Sequence, residues 1–188
     1  KENQIKRLVS TLRFVGSDVG SDLVGKVLAD EPGRDERVAS LAESLGIVAK
    51  ESDLQEVVNW IYSQRLVDQM VYLSTKFRQN DLGEKDLIQL NKLFGERLVK
   101  AEDLGVWRKD NFVENSSLNH PKLHEMLYQL DDLLNWNRTT SKEALHPVLK
   151  STILFYELLR IRPFLQNNLQ TATLFFVLSL GVGEFETS

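Results

Sequence analysis

The run Ile161-Arg162-Pro163-Phe164-Leu165-Gln166-Asn167-Asn168-Leu169-Gln170 decides how this chain is read. Before it, Val148, Leu149, Ile153, Leu154, Leu158 and Leu159 recur at helical spacing; after it, Leu174, Phe175, Val177 and Leu178 do the same. The spacing predicts two buried helices joined by a polar turn. At the start of the second helix, around Leu169 to Ala172, backbone N–H groups have no carbonyl partner within the helix and point into the turn, which suits an anion. An ordinary helical corner that holds no ligand has the same pattern.

Outward from this turn the chain keeps reading as helix. Ile5, Leu8, Leu12 and Val15 form one stripe over residues 3–15, stopped at Gly16-Ser17-Asp18; Ser21 or Asp22 is suited to cap a second helix through Leu23, Val24, Val27 and Leu28. After Pro32-Gly33, a third helix is expected from Asp35 to Leu45, closing at Gly46. Ser52 or Asp53 opens the longest periodic segment, through Leu54, Val57, Val58, Ile61, Leu66, Met70 and Leu73 to about Phe77, ended by Asn80-Asp81-Leu82-Gly83. A helix over 84–102 would bury Leu87, Ile88, Leu90, Phe94 and Leu98. Val106-Trp107 and Phe112-Val113 flank a polar turn and suggest a small β-hairpin, followed by a loop through Ser116-Ser117. Pro121 is placed to start a helix bearing Leu123, Leu127, Leu130, Leu133 and Leu134, and Ser141 to cap the helix entering the opening stretch. The fold class this predicts is all-α with one hairpin.

Composition narrows the function. The 188 residues, 42% of them hydrophobic, suffice for one sizeable core, and four prolines and ten glycines leave no flexible linker. A net charge of −4 with both signs interspersed gives no broad nucleic-acid footprint. The lack of cysteine removes disulfides and thiolate chemistry and fits a cytoplasmic location. No apolar run reaches the roughly 18–20 residues of a membrane helix. The first residue is not Met, so an excised piece of a longer protein is expected. There is neither a G-x-S-x-G turn nor a glycine-rich loop ending in Gly-Lys-Ser/Thr. His120 and His146 precede prolines at helix starts, His124 lies on the helix after Pro121, and no pair has close metal-ligand spacing, so no metal site is assigned. Trp60, Trp107 and Trp136 fit core or groove positions, Trp107 being the one placed to meet a partner.

Residues 146–178, His-Pro-Val-Leu-Lys through Arg-Pro-Phe-Leu-Gln-Asn-Asn to the next apolar helix, resemble the central helix, active loop and following helix of the Fic (filamentation induced by cAMP) domain family. Where that family reads HPFx(D/E)GN(G/K)RxxR, this chain reads RPFLQNNLQTAT. Gly105 to Val113 is similar to the family's flap, with Trp107, Arg108 and Asn111 in it; Glu56-Val57-Val58-Asn59 is similar to its E-V-x-N segment, and Pro121 to Trp136 to the helix before the core. The resemblance implies a helical bundle with a β-hairpin flap, divided into an N-terminal helical region at 1–83 and a Fic-like core at 84–188 within one compact domain. It also implies transfer of AMP from ATP to a target hydroxyl. In the family the motif histidine is the general base, the acidic residue holds Mg²⁺, the loop backbone and asparagine cradle phosphates, and the arginines pair phosphate charge.

Position by position, that chemistry is missing. Arg162 stands at the general-base position, and a guanidinium with a pKa above about 12 accepts no proton. Gln166 stands at the metal-ligand position with a neutral amide oxygen. Asn167 and Leu169 replace the loop glycines, Gln170 and Thr173 the arginines, while Pro163, Phe164 and Asn168 are kept. Asn167, Asn168, Leu169 and Gln170 remain as a candidate phosphate loop. Thr11-Leu12-Arg13-Phe14-Val15-Gly16 matches the spacing of the family's inhibitory motif (S/T)xxxE(G/N), with Val15 where the glutamate would be, so Val15 and Thr173 have both lost the charges of that pair. A helix stripe explains Val15 equally well. Arg162 reads either as an anion-binding arginine or as half of a salt bridge with Glu157.

The expectation is a Fic-like protein without ordinary AMP transfer, serving as a binding or regulatory module; whether it is an enzyme stays open, with the residues leaning against it. A protein partner is expected, no cofactor is required, ATP/Mg²⁺ enters only through the family, neither nucleic acid nor membrane is a partner, and a homodimer stays open. The alternatives are a divergent nucleotidyl or phosphoryl transferase built on Arg162 and Asn168, and the core of a larger transcription-associated regulator.

Overall fold

A computed structural model describes residues 2–17, 19–30, 38–77, 82–111, 119–141 and 144–185, with every side chain in them except those of residues 4, 7, 184 and 185. They form α1 (Glu2–Phe14), α2 (Ser21–Asp30), α3 (Val38–Leu45), α4 (Glu51–Phe77), α5 (Glu84–Gly95), a 3-10 turn at Ala101–Asp103, α6 (Leu123–Thr139), α7 (Pro147–Ile161) and α8 (Asn168–Phe185). The fold is helical, as the periodicity predicts. The expected features at Pro32-Gly33, Asp35, Asn80-Asp81, Phe112-Val113 and Ser116-Ser117 lie outside the described residues.

α8 is the axis. Leu174, Phe175 and Leu178 are wholly buried, and Thr171, Ala172, Thr173, Ser179 and Val182 nearly so, on a helix apolar around most of its circumference. α7, α4 and α5 pack on it, α6 flanks α7, α2 and α3 lie on α4, and α1 lies on α2. Their buried side chains join in one core running from Val9 to Val182.

Several boundaries differ from the sequence expectation, each for a local reason. α2 starts at Ser21 with the Gly20 carbonyl accepting the Val24 N–H at 3.3 Å, so neither Ser21 nor Asp22 is the cap. α4 begins at Glu51, on the Lys50 carbonyl, and the Ser52 hydroxyl turns to Asp53 at 3.2 Å. α5 ends at Gly95 rather than 102 because Arg97 enters the left-handed region (φ 60°), and the Asn59 amide takes the free Phe94 and Glu96 carbonyls at 2.6 and 2.7 Å. α6 starts at Leu123, whose N–H is taken by the Asn111 side chain, so Pro121 precedes the helix instead of opening it. His146, not Ser141, caps α7 by accepting the Val148 N–H at 3.3 Å; Ser141 closes the turn before it. The α7 stripe also divides. Ser151, Leu154, Leu158 and Ile161 are buried, whereas Val148, Leu149 and Ile153 are 44%, 55% and 39% exposed, because they lie off the row that meets α8.

Candidate functional site

The turn between α7 and α8 is fixed from four directions. Arg162 ends α7 in the left-handed region (φ 47°, ψ 64°), with its N–H on the Leu158 carbonyl at 2.9 Å. That conformation is uncommon for a non-glycine residue and is opposed by the proline that follows, so it persists only where neighbours hold it. Arg108 does so, donating Nε to the Arg162 carbonyl at 3.1 Å while its backbone N–H bonds the Pro163 carbonyl at 2.9 Å. The Leu165 N–H returns to Val106 at 2.9 Å, closing an antiparallel bridge between Trp107 and Phe164. The described arm of the flap therefore pairs with the loop, and the Trp107 ring lies 4.5 Å from the Phe164 ring, which is buried.

Asn168 locks the loop from inside. Its Oδ1 accepts the Phe164 N–H at 2.9 Å and its Nδ2 donates to the Phe164 carbonyl at 2.8 Å, so one side chain satisfies both polar groups of that residue. Asn91, buried on α5, ties three pieces together: it donates to the Gln166 carbonyl at 2.9 Å and to the Thr171 hydroxyl at 3.0 Å, and accepts the Gly105 N–H at 3.0 Å. Asn167 takes positive φ (59°), as expected for a residue replacing glycine, and its carbonyl accepts from the backbone and hydroxyl of Thr171 at 2.9 and 2.7 Å. Its Nδ2 is buried without a hydrogen-bond partner and lies against Gly95, where an added Cβ would be 2.8 Å away.

The charges here are cationic. Arg108 is buried and spends its guanidinium on the backbone carbonyls of Arg162, Asp110 and Pro121, the last two at 2.7 and 2.6 Å. Burial pushes that guanidinium below its usual range, Asp110 opposes the shift, and the charge of Arg162 adds to it. The expected Arg162–Glu157 pair does not form: Glu157 bonds Arg160 at 2.7 Å, and Arg160 also reaches Gln129 at 2.8 Å. Arg162 is left half-buried, its side chain without a hydrogen bond or ion pair among the described residues.

Of the remaining candidates, Gln166 is exposed, Leu169 and Gln170 are half-buried at the start of α8, and Thr173 is buried with its hydroxyl on the Leu169 carbonyl at 2.8 Å. Thr11, Val15 and Gly16 sit at the end of α1, where Gly16 takes φ 90° and Ser17 bonds back to Leu12 at 2.9 Å. Val15 packs half-buried on the core, and the ring of neighbouring Phe14 lies tilted against Phe155 of α7, centroids 6.0 Å apart; no hydrogen bond joins Val15 or Gly16 to the loop among the described residues. Asn59 acts structurally by closing α5, and Glu56 is half-buried on α4. Sequence reading passed over Asn91. Its signal was there, an amide on the same helical face as Leu87, Leu90 and Phe94.

Residues 81–180 match the model of the Fic/DOC family. Among solved structures, the chain is similar to Fic-1 (aa134 - 508) from C. elegans, with a TM-score of 0.72 at 15% identity over 97% of this chain and 49% of that one. It is similar also to a Fic family protein from Desulfovibrio desulfuricans G20, with a TM-score of 0.66 at 21% identity over 95% and 48%. A Fic domain containing signaling protein from Bacteroides thetaiotaomicron gives a TM-score of 0.65 at 17% identity over 96% and 67%. The chain thus spans about half the length of the first two. No curated protein sequence matches it.

Proposed function

The chain belongs to the Fic/DOC family, and from that membership and the residues its loop carries we propose a binding or regulatory module on the Fic fold, one without the AMP transfer usual in the family. The observation that carries this reading is the side chain of Asn168. At the position where the family's asparagine cradles phosphate, both of its polar atoms are engaged with Phe164, at 2.9 and 2.8 Å. The Asn168 amide is thus satisfied within its own protein.

The residues present do not fit a magnesium nucleotide. Gln166 offers an amide where a carboxylate would hold the ion, Thr173 turns its hydroxyl to the Leu169 carbonyl, and Gln170 brings no charge to phosphate. Arg162 cannot take a proton from a target hydroxyl. Proton transfer and charge stabilisation commonly contribute factors of about 10²–10⁴ and 10²–10³, and both are lost together. What the site offers is a fixed surface of flap and loop for a protein partner. Calorimetric titration with ATP, with and without Mg²⁺, is expected to show no magnesium-dependent binding; binding that strengthens with Mg²⁺ and is lost in Asn168→Ala would overturn this reading.

One observation favours a second reading. The Arg162 guanidinium has no hydrogen-bond or ion-pair partner among the described residues and lies in sequence six residues before α8 begins, which suits a divergent transferase using a different phosphorylated donor. Pyrophosphate bound by the wild type and lost by Arg162→Ala would favour it.

A further inference from the structure

Away from the loop, α4 and α5 enclose an open groove of about 730 Å³. Its floor is apolar, and its polar rim joins Gln69 and Gln89 to charges that are cationic but for one. One stripe of α4, with Tyr62 and Leu66, faces one stripe of α5, with Ile88 and Leu93, and Leu104 closes the end toward the flap. On the rim stand Arg65, Lys85 and Lys92, all exposed, against a single acid, Glu96. On a chain of net charge −4, this grouping of one sign is a local reversal.

Among the described residues the two lysines, Lys85 and Lys92, are not used in internal ion pairs, and Arg65 is set 5.3 Å from the centre of the Tyr62 ring. Lys85 sits in the first turn of α5, where the helix dipole disfavours a cation, so the helix itself gains nothing from it. The Lys92 stem lies against Gly105, where an added Cβ would meet Cε at 2.7 Å, while the residue stays exposed at the rim.

We propose that this groove docks an acidic amphipathic helical segment of a partner protein, its apolar side chains on Leu66, Ile88 and Leu104 and its carboxylates on Arg65, Lys85 and Lys92. Complementary charge selects the sign of the segment, and the apolar floor distinguishes a helix with an apolar face from a simple polyanion. No residue of the loop lines the groove, so the proposal holds whether or not the loop transfers AMP.

The probe is a fluorescent helical peptide of about 12–16 residues, matched to the ~18 Å length of α5, with leucines on one face and glutamates flanking them. Wild-type protein is expected to bind it in a salt-sensitive way, and to bind a lysine-for-glutamate copy and a serine-for-leucine copy at least about tenfold more weakly. Lys85→Glu/Lys92→Glu is expected to reverse the preference, losing the acidic peptide about tenfold and gaining the basic one; that gain also shows that the variant folds. Equal binding of acidic and basic peptides, or no change in the double variant, would overturn the proposal. So would equally tight binding of a single-stranded oligonucleotide or of phosphatidylserine vesicles, neither of which needs the apolar floor.

Discussion

Asn168 sits at the junction of what the family frame keeps and what this loop has lost. Its amide replaces the water that the Phe164 N–H and carbonyl would otherwise need. Asn168→Ala is expected to destabilise the fold by about 1–3 kcal/mol in urea unfolding, because it leaves polar groups of the loop unpaired. Glu56 makes a different prediction. Burial raises its carboxyl above the ordinary value of 4.5, the polar contact of Ser17 lowers it and Asp53 raises it. The folded state then binds the proton more tightly than the unfolded one, so the stability present below 4.5 is lost as pH rises through the raised value. Glu56→Gln is expected to be more stable than wild type at pH 7 in the same assay, the gap closing as the pH falls toward 4. Neither residue announced these roles in the sequence. Asn168 was legible as part of a polar turn, but its use as a brace depends on the backbone folding back over four residues.

Among the elements, the α7–loop–α8 unit was the most legible, since its two apolar runs predict two helices and the break between them predicts a turn. What supports the loop was not. Asn91 reaches it across 75 residues and Arg108 across 54, distances over which periodicity carries no information. The end of α5 was misplaced for the same reason: Asn59, 35 residues away, closes it at Gly95. α5 comes closest to the loop at that glycine. A Cβ there would meet Leu104 at 2.7 Å, the Asn167 amide at 2.8 Å and Val99 at 3.2 Å. Gly95→Ala is therefore expected to cost about 1–3 kcal/mol through overpacking and to shift the amide resonances of Asn167 and its neighbours, a displacement that NMR reads directly. Unchanged stability and unchanged loop resonances would mean that the two elements are not coupled.

For the whole molecule, a single core from α1 to α8 carries a Fic frame in which the reactive positions hold Arg162, Gln166, Gln170 and Thr173. Among the described residues no helix is long and apolar enough to cross a membrane, and no cluster of three or more His, Asp or Glu is placed to hold a metal. On the function proposed above, frame and loop separate two properties, a fold and a reaction. The direct test is to incubate the protein with ATP labelled at the α-phosphate, Mg²⁺ and cell lysate. The expected result is no protein labelling above the background of a Phe164→Asp variant; magnesium-dependent labelling by the wild type that disappears in that variant would contradict the account.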